Sequence, residues 1–293
     1  MFYSISDLIK QAETYHNGNV AELMITTEIE LSGRSRDEII HMMRRNLQVM
    51  LSSVTDGLNP DKSLSGLTGG DALKLDTYIK AGKTLADTTI LSAARNAMAV
   101  NEHNAKMGLV CATPTAGSAG CLPAVLSVAI KKLHLSEKEQ LNFLFTAGAF
   151  GLVIANNASI SGAEGGCQAE VGSASAMAAA AVTLAAGGSV QQASQAVCFV
   201  IKNMLGLICD PVAGLVEVPC VKRNAMGASF ALIAADMALA GITSKIPVDE
   251  VIDAMYQVGS SLPAAFRETA EGGLAATPTG KQLAKEIFGN DNR

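Results

Sequence analysis

Two segments, Ser161-Gly-Ala-Glu-Gly-Gly-Cys167-Gln-Ala-Glu170 and Cys209-Asp-Pro-Val-Ala-Gly-Leu-Val-Glu-Val-Pro-Cys220, bracket the stretch that decides how this chain folds. Between them, residues 174–186 and 190–207 form apolar runs separated by Gly187-Gly188-Ser189, and both read as helices. Cys167, Cys209 and Cys220 sit in turn-rich neighbourhoods marked by Gly or Pro. A fourth cysteine, Cys198, lies inside the second run, where a cysteine ordinarily fills a core. The pattern predicts helices supplying the body and loops carrying the chemistry.

The rest of the chain extends this reading. Ser35 with Glu38 and Ser136 with Glu139 form capping boxes, opening helices over residues 37–54 and through 143–155. Asp87 suits the N-cap of a helix running to about Lys106, and Pro123 the first turn of another. Further helices are predicted over 222–239, from 247 onward, over 264–271 and over 281–288. Three Gly/Thr-rich loops, at 59–71, 111–121 and 272–280, interrupt them. No strand pattern persists, so the expectation is one all-α catalytic domain of ten to twelve helices spanning residues 1–293.

Composition narrows the possible partners. Charged residues make up 17% and apolar ones 49%, so most helix faces must be buried. With a formal net charge of -5, neither nucleic acid nor an anionic membrane is an expected partner. Residues 143–155 are too short to span a bilayer, and Asp236 interrupts the apolar run at 225–242. The first residues carry no signal-peptide pattern, which predicts a cytoplasmic protein whose six cysteines serve packing or metal binding.

Spacing alone leaves the three loop cysteines open to several roles. Zinc sites usually draw on closely spaced cysteine pairs, whereas ten residues separate Cys209 from Cys220 and none of the four histidines is near in sequence. An iron–sulfur cluster accepts thiolates alone, and Cys111 and Cys121 are further candidates for a fourth ligand. Burial as small apolar residues is the third reading. The 111–121 loop, Thr113-Pro-Thr115-Ala-Gly117-Ser118-Ala-Gly120, offers backbone N–H groups at a helix start, which suits a carboxylate or phosphate; it lacks a P-loop lysine.

Together, the segments 161–172, 209–220 and 113–120 resemble the iron–sulfur-dependent L-serine dehydratase family, in its alpha chain. The resemblance covers nearly the whole sequence and is most specific over 108–227. It implies an all-α domain holding a 4Fe–4S cluster through Cys167, Cys209 and Cys220, with Cys111, Cys121 and Cys198 left to the core. It also implies conversion of L-serine to pyruvate and ammonia. On this reading Thr113, Thr115, Gly117, Ser118 and Arg223 bind the substrate carboxylate. Single-chain family members carry a further domain with a Ser-Ser-His-Thr type motif, absent from this sequence. The expected partner is therefore a beta subunit, which supplies the unassigned catalytic base. A related lyase acting on cysteine or another β-substituted amino acid, and a non-catalytic metal-binding module, are the alternatives.

Overall fold

The computed structural model describes residues 1–289. Among these residues thirteen α-helices form and no strand does; the one β-type pairing is a parallel bridge between Cys209 and Arg267. No helix there is long and apolar enough to cross a membrane.

The N-terminal helices α1 (Ile5–His16), α2 (Val20–Ser32) and α3 (Arg36–Asp56) precede α4 (Asp71–Lys80), α5 (Thr88–Ala105), α6 (Cys121–Leu133) and α7 (Glu137–Asn157). Next, the four-residue α8 (Gly162–Gly165) and a π-helical turn (Gln168–Gly172) lead directly into α9 (Ser173–Ala185). The chain ends with α10 (Val190–Met204), α11 (Cys220–Leu239), α12 (Val248–Ser261) and α13 (Pro278–Phe288). Both expected capping boxes are present, Ser35 with Glu38 and Ser136 with Glu139, and Asp87 caps α5 through Thr89 N–H.

Helix α9 is the centre of the molecule. Every residue from Ser173 to Thr183 is buried, and the helix packs against α6, α7, α10 and α11. Its sequence, SASAMAAAAVTLA, explains this position, because alanine and serine let four neighbouring helices approach closely at little side-chain entropy cost. The pairing of α5 with α11 adds a second layer, and α6 packs against both. The π turn leading into α9, the starts of α6 and α11, and the 108–120 loop thus meet at one end of the bundle.

The structure differs from the sequence reading at several boundaries. The last long apolar helix starts at Cys220 rather than Lys222, so this cysteine begins a helix. Helix α10 stops at Met204, and residues 264–271 hold only a 3₁₀ turn, Ala264–Phe266. Glu268 and Ala270 there take left-handed backbone angles, φ 64 and 58, which a continuing helix does not allow. Helix α4 has no sequence signal at its start: Gly70 caps it with φ 81 and no side-chain hydrogen bond. Its opening N–H groups, on Gly70 and Asp71, instead donate to the buried Glu102 carboxylate of α5 at 3.0 and 2.9 Å.

Candidate active site

The three cysteines arrive from three different backbone environments. Cys167 lies between α8 and the π turn, Cys209 on the extended segment bridged to Arg267, and Cys220 at the first position of α11. Backbone bonds hold Cys209 on both sides, its N–H donating to Phe266 O and its carbonyl accepting from Glu268 N, each 2.9 Å. All three are buried, with 2%, 4% and 8% of their surface exposed.

Their electrostatics mark them as neighbours. Burial is the largest effect on each thiol and pushes Cys167 up to about 11 and Cys220 up to about 12; Cys209 is raised further. Charge on Cys167 also opposes ionisation of Cys209 and Cys220, and Cys220 acts the same way on Cys209. Arg223 works the other way at Cys167, as a nearby cation and hydrogen-bond donor. Without a bound cation the three groups therefore stay protonated as neutral thiols at neutral pH, and a metal that binds them must displace those protons. Among the described residues, no three His, Cys, Asp or Glu side chains converge on the position of a single metal ion.

The 113–120 loop is built across from them. Thr115 Oγ1 donates to Glu170 Oε1 at 2.6 Å, and the Ser118 hydroxyl donates to Thr113 O at 3.1 Å. A Cβ on Gly117 would stand 3.0 Å from Glu170 Oε1, a contact that would make the carboxylate shift. Gly162 faces the same carboxylate, and a Cβ on it would lie 2.7 Å from Oε2 and 3.0 Å from Cys209 Sγ. The buried Thr113 hydroxyl has no partner. Among the described residues, the N–H groups of Gly117 and Ser118 donate to no acceptor within the protein.

Asn224 and Glu170 tie this loop to the cysteine segments, and Arg223 and Glu217 brace those segments. Asn224, fully buried on α11, donates to Gly117 O at 2.7 Å and to Cys220 O at 2.9 Å, and accepts from Gly120 N at 3.1 Å. Arg223 Nη1 donates to Ile208 O at 2.7 Å and pairs with Asp210 Oδ1 at 2.9 Å. Arg223 therefore acts as an internal strut beside Cys209 as well as a neighbour of Cys167. Glu217 accepts the hydroxyls of Ser63 and Ser65 at 2.6 and 2.8 Å, which gives the 59–71 loop a role as a brace on the 209–220 segment. Glu170, 8% exposed, faces Thr115 on one oxygen and the Cys209 thiol, 3.8 Å away, on the other. Burial pushes its carboxyl up, while the Thr115 and Cys209 donors pull it back.

The structure thus brings Thr115, Gly117 and Ser118 into one loop linked to the cysteines, and puts Arg223 against two cysteine segments. Cys198 lies apart on α10, and Cys111 is half-buried. Cys121 is closer than its sequence position suggested: it begins α6, senses Cys167, and directs its thiol at Asn224. Sequence reasoning missed Glu170, Asn224, Glu217 and Asn101, whose amide donates to Gly117 O at 3.3 Å. One signal was available for Glu170, a lone acid in the small-residue run QAEVGSASA.

Three buried cysteines on separate segments, beside a loop whose Gly117 and Ser118 N–H groups and Thr113 hydroxyl are unpaired, make up the candidate site. The sequence profile of the serine dehydratase alpha chain matches residues 15–275, and the chain belongs to that family. Over 289 residues it is 58% identical to the "Probable L-serine dehydratase, alpha chain" of Bacillus subtilis (strain 168), covering 99% of this chain and 96% of the relative. It is 42% identical over 270 residues to the "L-serine dehydratase, alpha chain" of Peptoniphilus asaccharolyticus, covering 92% of each. An L-serine dehydratase of Escherichia coli (strain K12) is 37% identical over 281 residues, covering 94% of this chain and 61% of that protein.

Proposed function

We propose that this chain is the alpha subunit of a two-chain L-serine dehydratase that converts L-serine to pyruvate and ammonia and holds a 4Fe–4S cluster through Cys167, Cys209 and Cys220. The observation that carries this reading is the set of three buried cysteines on separate segments beside a loop with unpaired donors. The donor set fits the cluster by its chemistry: three buried cysteine sulfurs on separate segments are the ligand type that iron–sulfur clusters take. The fit extends to Arg223, whose charge favours the thiolate of Cys167.

When bound, a cluster with only three protein ligands supplies a Lewis-acidic iron that eases departure of the serine hydroxyl. The chain's own residues supply binding and orientation. The free N–H groups of Gly117 and Ser118 and the unpartnered hydroxyl of Thr113 receive the substrate carboxylate, while Thr115, whose proton goes to Glu170, borders it. Arg223 has committed Nη1 to Ile208 and Asp210, so its remaining nitrogens are the ones left for that carboxylate. Loss of the α-proton and the hydroxyl gives water and aminoacrylate, which tautomerises and is hydrolysed to pyruvate and ammonia. A beta subunit supplies the base that takes the α-proton. Coverage supports two chains: this sequence spans 96% and 92% of relatives named alpha chain, but 61% of the Escherichia coli enzyme. The cytoplasm, where thiols stay reduced, suits such a site.

The test is anaerobic reconstitution with iron and sulfide, with and without a candidate beta chain, followed by pyruvate measurement from L-serine. Pyruvate formation that requires both chains is the expected result. A loaded pair that binds no serine and forms no pyruvate overturns the proposal.

A further inference from the structure

L-Serine carries an ammonium as well as a carboxylate, and the donors of the 113–118 loop can serve only the carboxylate. An ammonium needs acceptors, best of all a carboxylate with no cation of its own. Three acids stand near the cysteines. Asp210 already has a cation of its own: its Oδ1 lies 2.9 Å from Arg223 Nη1, outside hydrogen-bond alignment, and its Oδ2 accepts Leu274 N–H at 2.7 Å. Glu268 is exposed, its backbone N–H bonded to Cys209 O. Glu170 differs from both. It is buried, and among the described residues no lysine, arginine or histidine pairs with it.

Its hydrogen bonding is also incomplete. Oε1 accepts from Thr115, and Oε2 has only the distant Cys209 thiol at 3.8 Å. A carboxylate offers about four acceptor positions. Two glycines, 117 and 162, close on this carboxylate where any side chain would crowd it, so backbone rather than bulk surrounds it. Thr115 connects it to the loop assigned to the substrate carboxylate, an arrangement that would grip both ends of an α-amino acid.

We propose that Glu170 is the ammonium subsite and selects α-amino acids over their 2-hydroxy counterparts. This rests on the serine dehydratase reading above. The test uses the reconstituted two-chain enzyme, with KM for L-serine and the inhibition constant of L-glycerate, which has a hydroxyl in place of the amine. Iron and sulfide content is measured alongside. Wild type should bind serine more tightly than glycerate. Glu170→Gln should weaken serine by about 10- to 100-fold, the range of one charge-assisted hydrogen bond, with glycerate shifted less than about twofold. Glu170→Asp keeps the charge and should keep the serine preference even where overall affinity drops. Equal weakening of both ligands by Glu170→Gln at full cluster content would make Glu170 a prop for the loop and overturn the proposal. Absence of any serine preference in wild type would overturn it without reference to a variant. Failure of wild type to turn over serine refutes the enzyme reading itself, whereas normal turnover with an unchanged ligand ratio refutes only the subsite.

Discussion

Replacing Asn224 by alanine should loosen both halves of the site at once. The side chain is fully buried and makes three hydrogen bonds to nitrogen or oxygen, to Gly117 O, Cys220 O and Gly120 N. These three partners do not lose equally. Gly117 O keeps a 3.3 Å bond from Asn101, and Cys220 O keeps its place in the first turn of α11. The Gly120 N–H keeps nothing, and an orphaned buried donor costs about 1–3 kcal/mol. The two weakened bonds add about 1 kcal/mol each, so Asn224→Ala should destabilise the chain by about 3–5 kcal/mol. The first assay is urea unfolding of the metal-free protein, where the midpoint should fall with little change in slope. The second is the serine KM of the reconstituted enzyme, which should rise because Gly117 and Ser118 lose their register. A loss below about 1 kcal/mol with unchanged KM would refute the reasoning, since a buried strut cannot then be what holds the loop.

Two further perturbations probe the frame around the site. Ser63→Ala with Ser65→Ala leaves the Glu217 carboxylate buried without its two hydroxyl donors and should cost about 3 kcal/mol or more, whereas Glu217→Gln, which retains partners for both hydroxyls, should cost less; equal losses in urea melts would remove the brace assigned to the 59–71 loop. Hydrogen bonds from Lys222 and Lys74 hold Asp71 down at about 2, below its ordinary 3.8, so its contribution to stability is present above 3.8 and lost as pH falls towards 2. Melting temperatures of wild type and Asp71→Asn should therefore differ at neutral pH and converge in acid, and a constant gap would contradict the ion-pair assignment.

Much of the fold was legible because helix signals are local. A serine followed three residues later by a glutamate marks the starts of α3 and α7, and the structure has both boxes. Helix α4 was not legible, because its cap is a carboxylate from α5, some thirty residues away in sequence. The π turn at Gln168–Gly172 was equally hidden, since its bonding depends on how α8 and α9 are anchored rather than on composition. At the site, the cysteines and the Gly/Thr loop stood out by residue type and turn context. Asn224 and Asn101 did not: an amide on a helix reads the same whether it faces water or a buried carbonyl, and only packing reveals which. Cys121 shows the converse limit, a thiol set aside as core that the fold brings near Cys167.

The central claim is that Cys167, Cys209 and Cys220 together hold an iron–sulfur cluster. Iron and acid-labile sulfide analysis after anaerobic reconstitution tests it most directly, in wild type and in serine variants of Cys167, Cys209, Cys220 and Cys198. About four iron and four sulfide per chain are predicted for wild type and for Cys198→Ser, with both lost or sharply reduced in each of the other three. Zinc without sulfide in wild type, or full iron and sulfide in any of those three variants, would contradict the account.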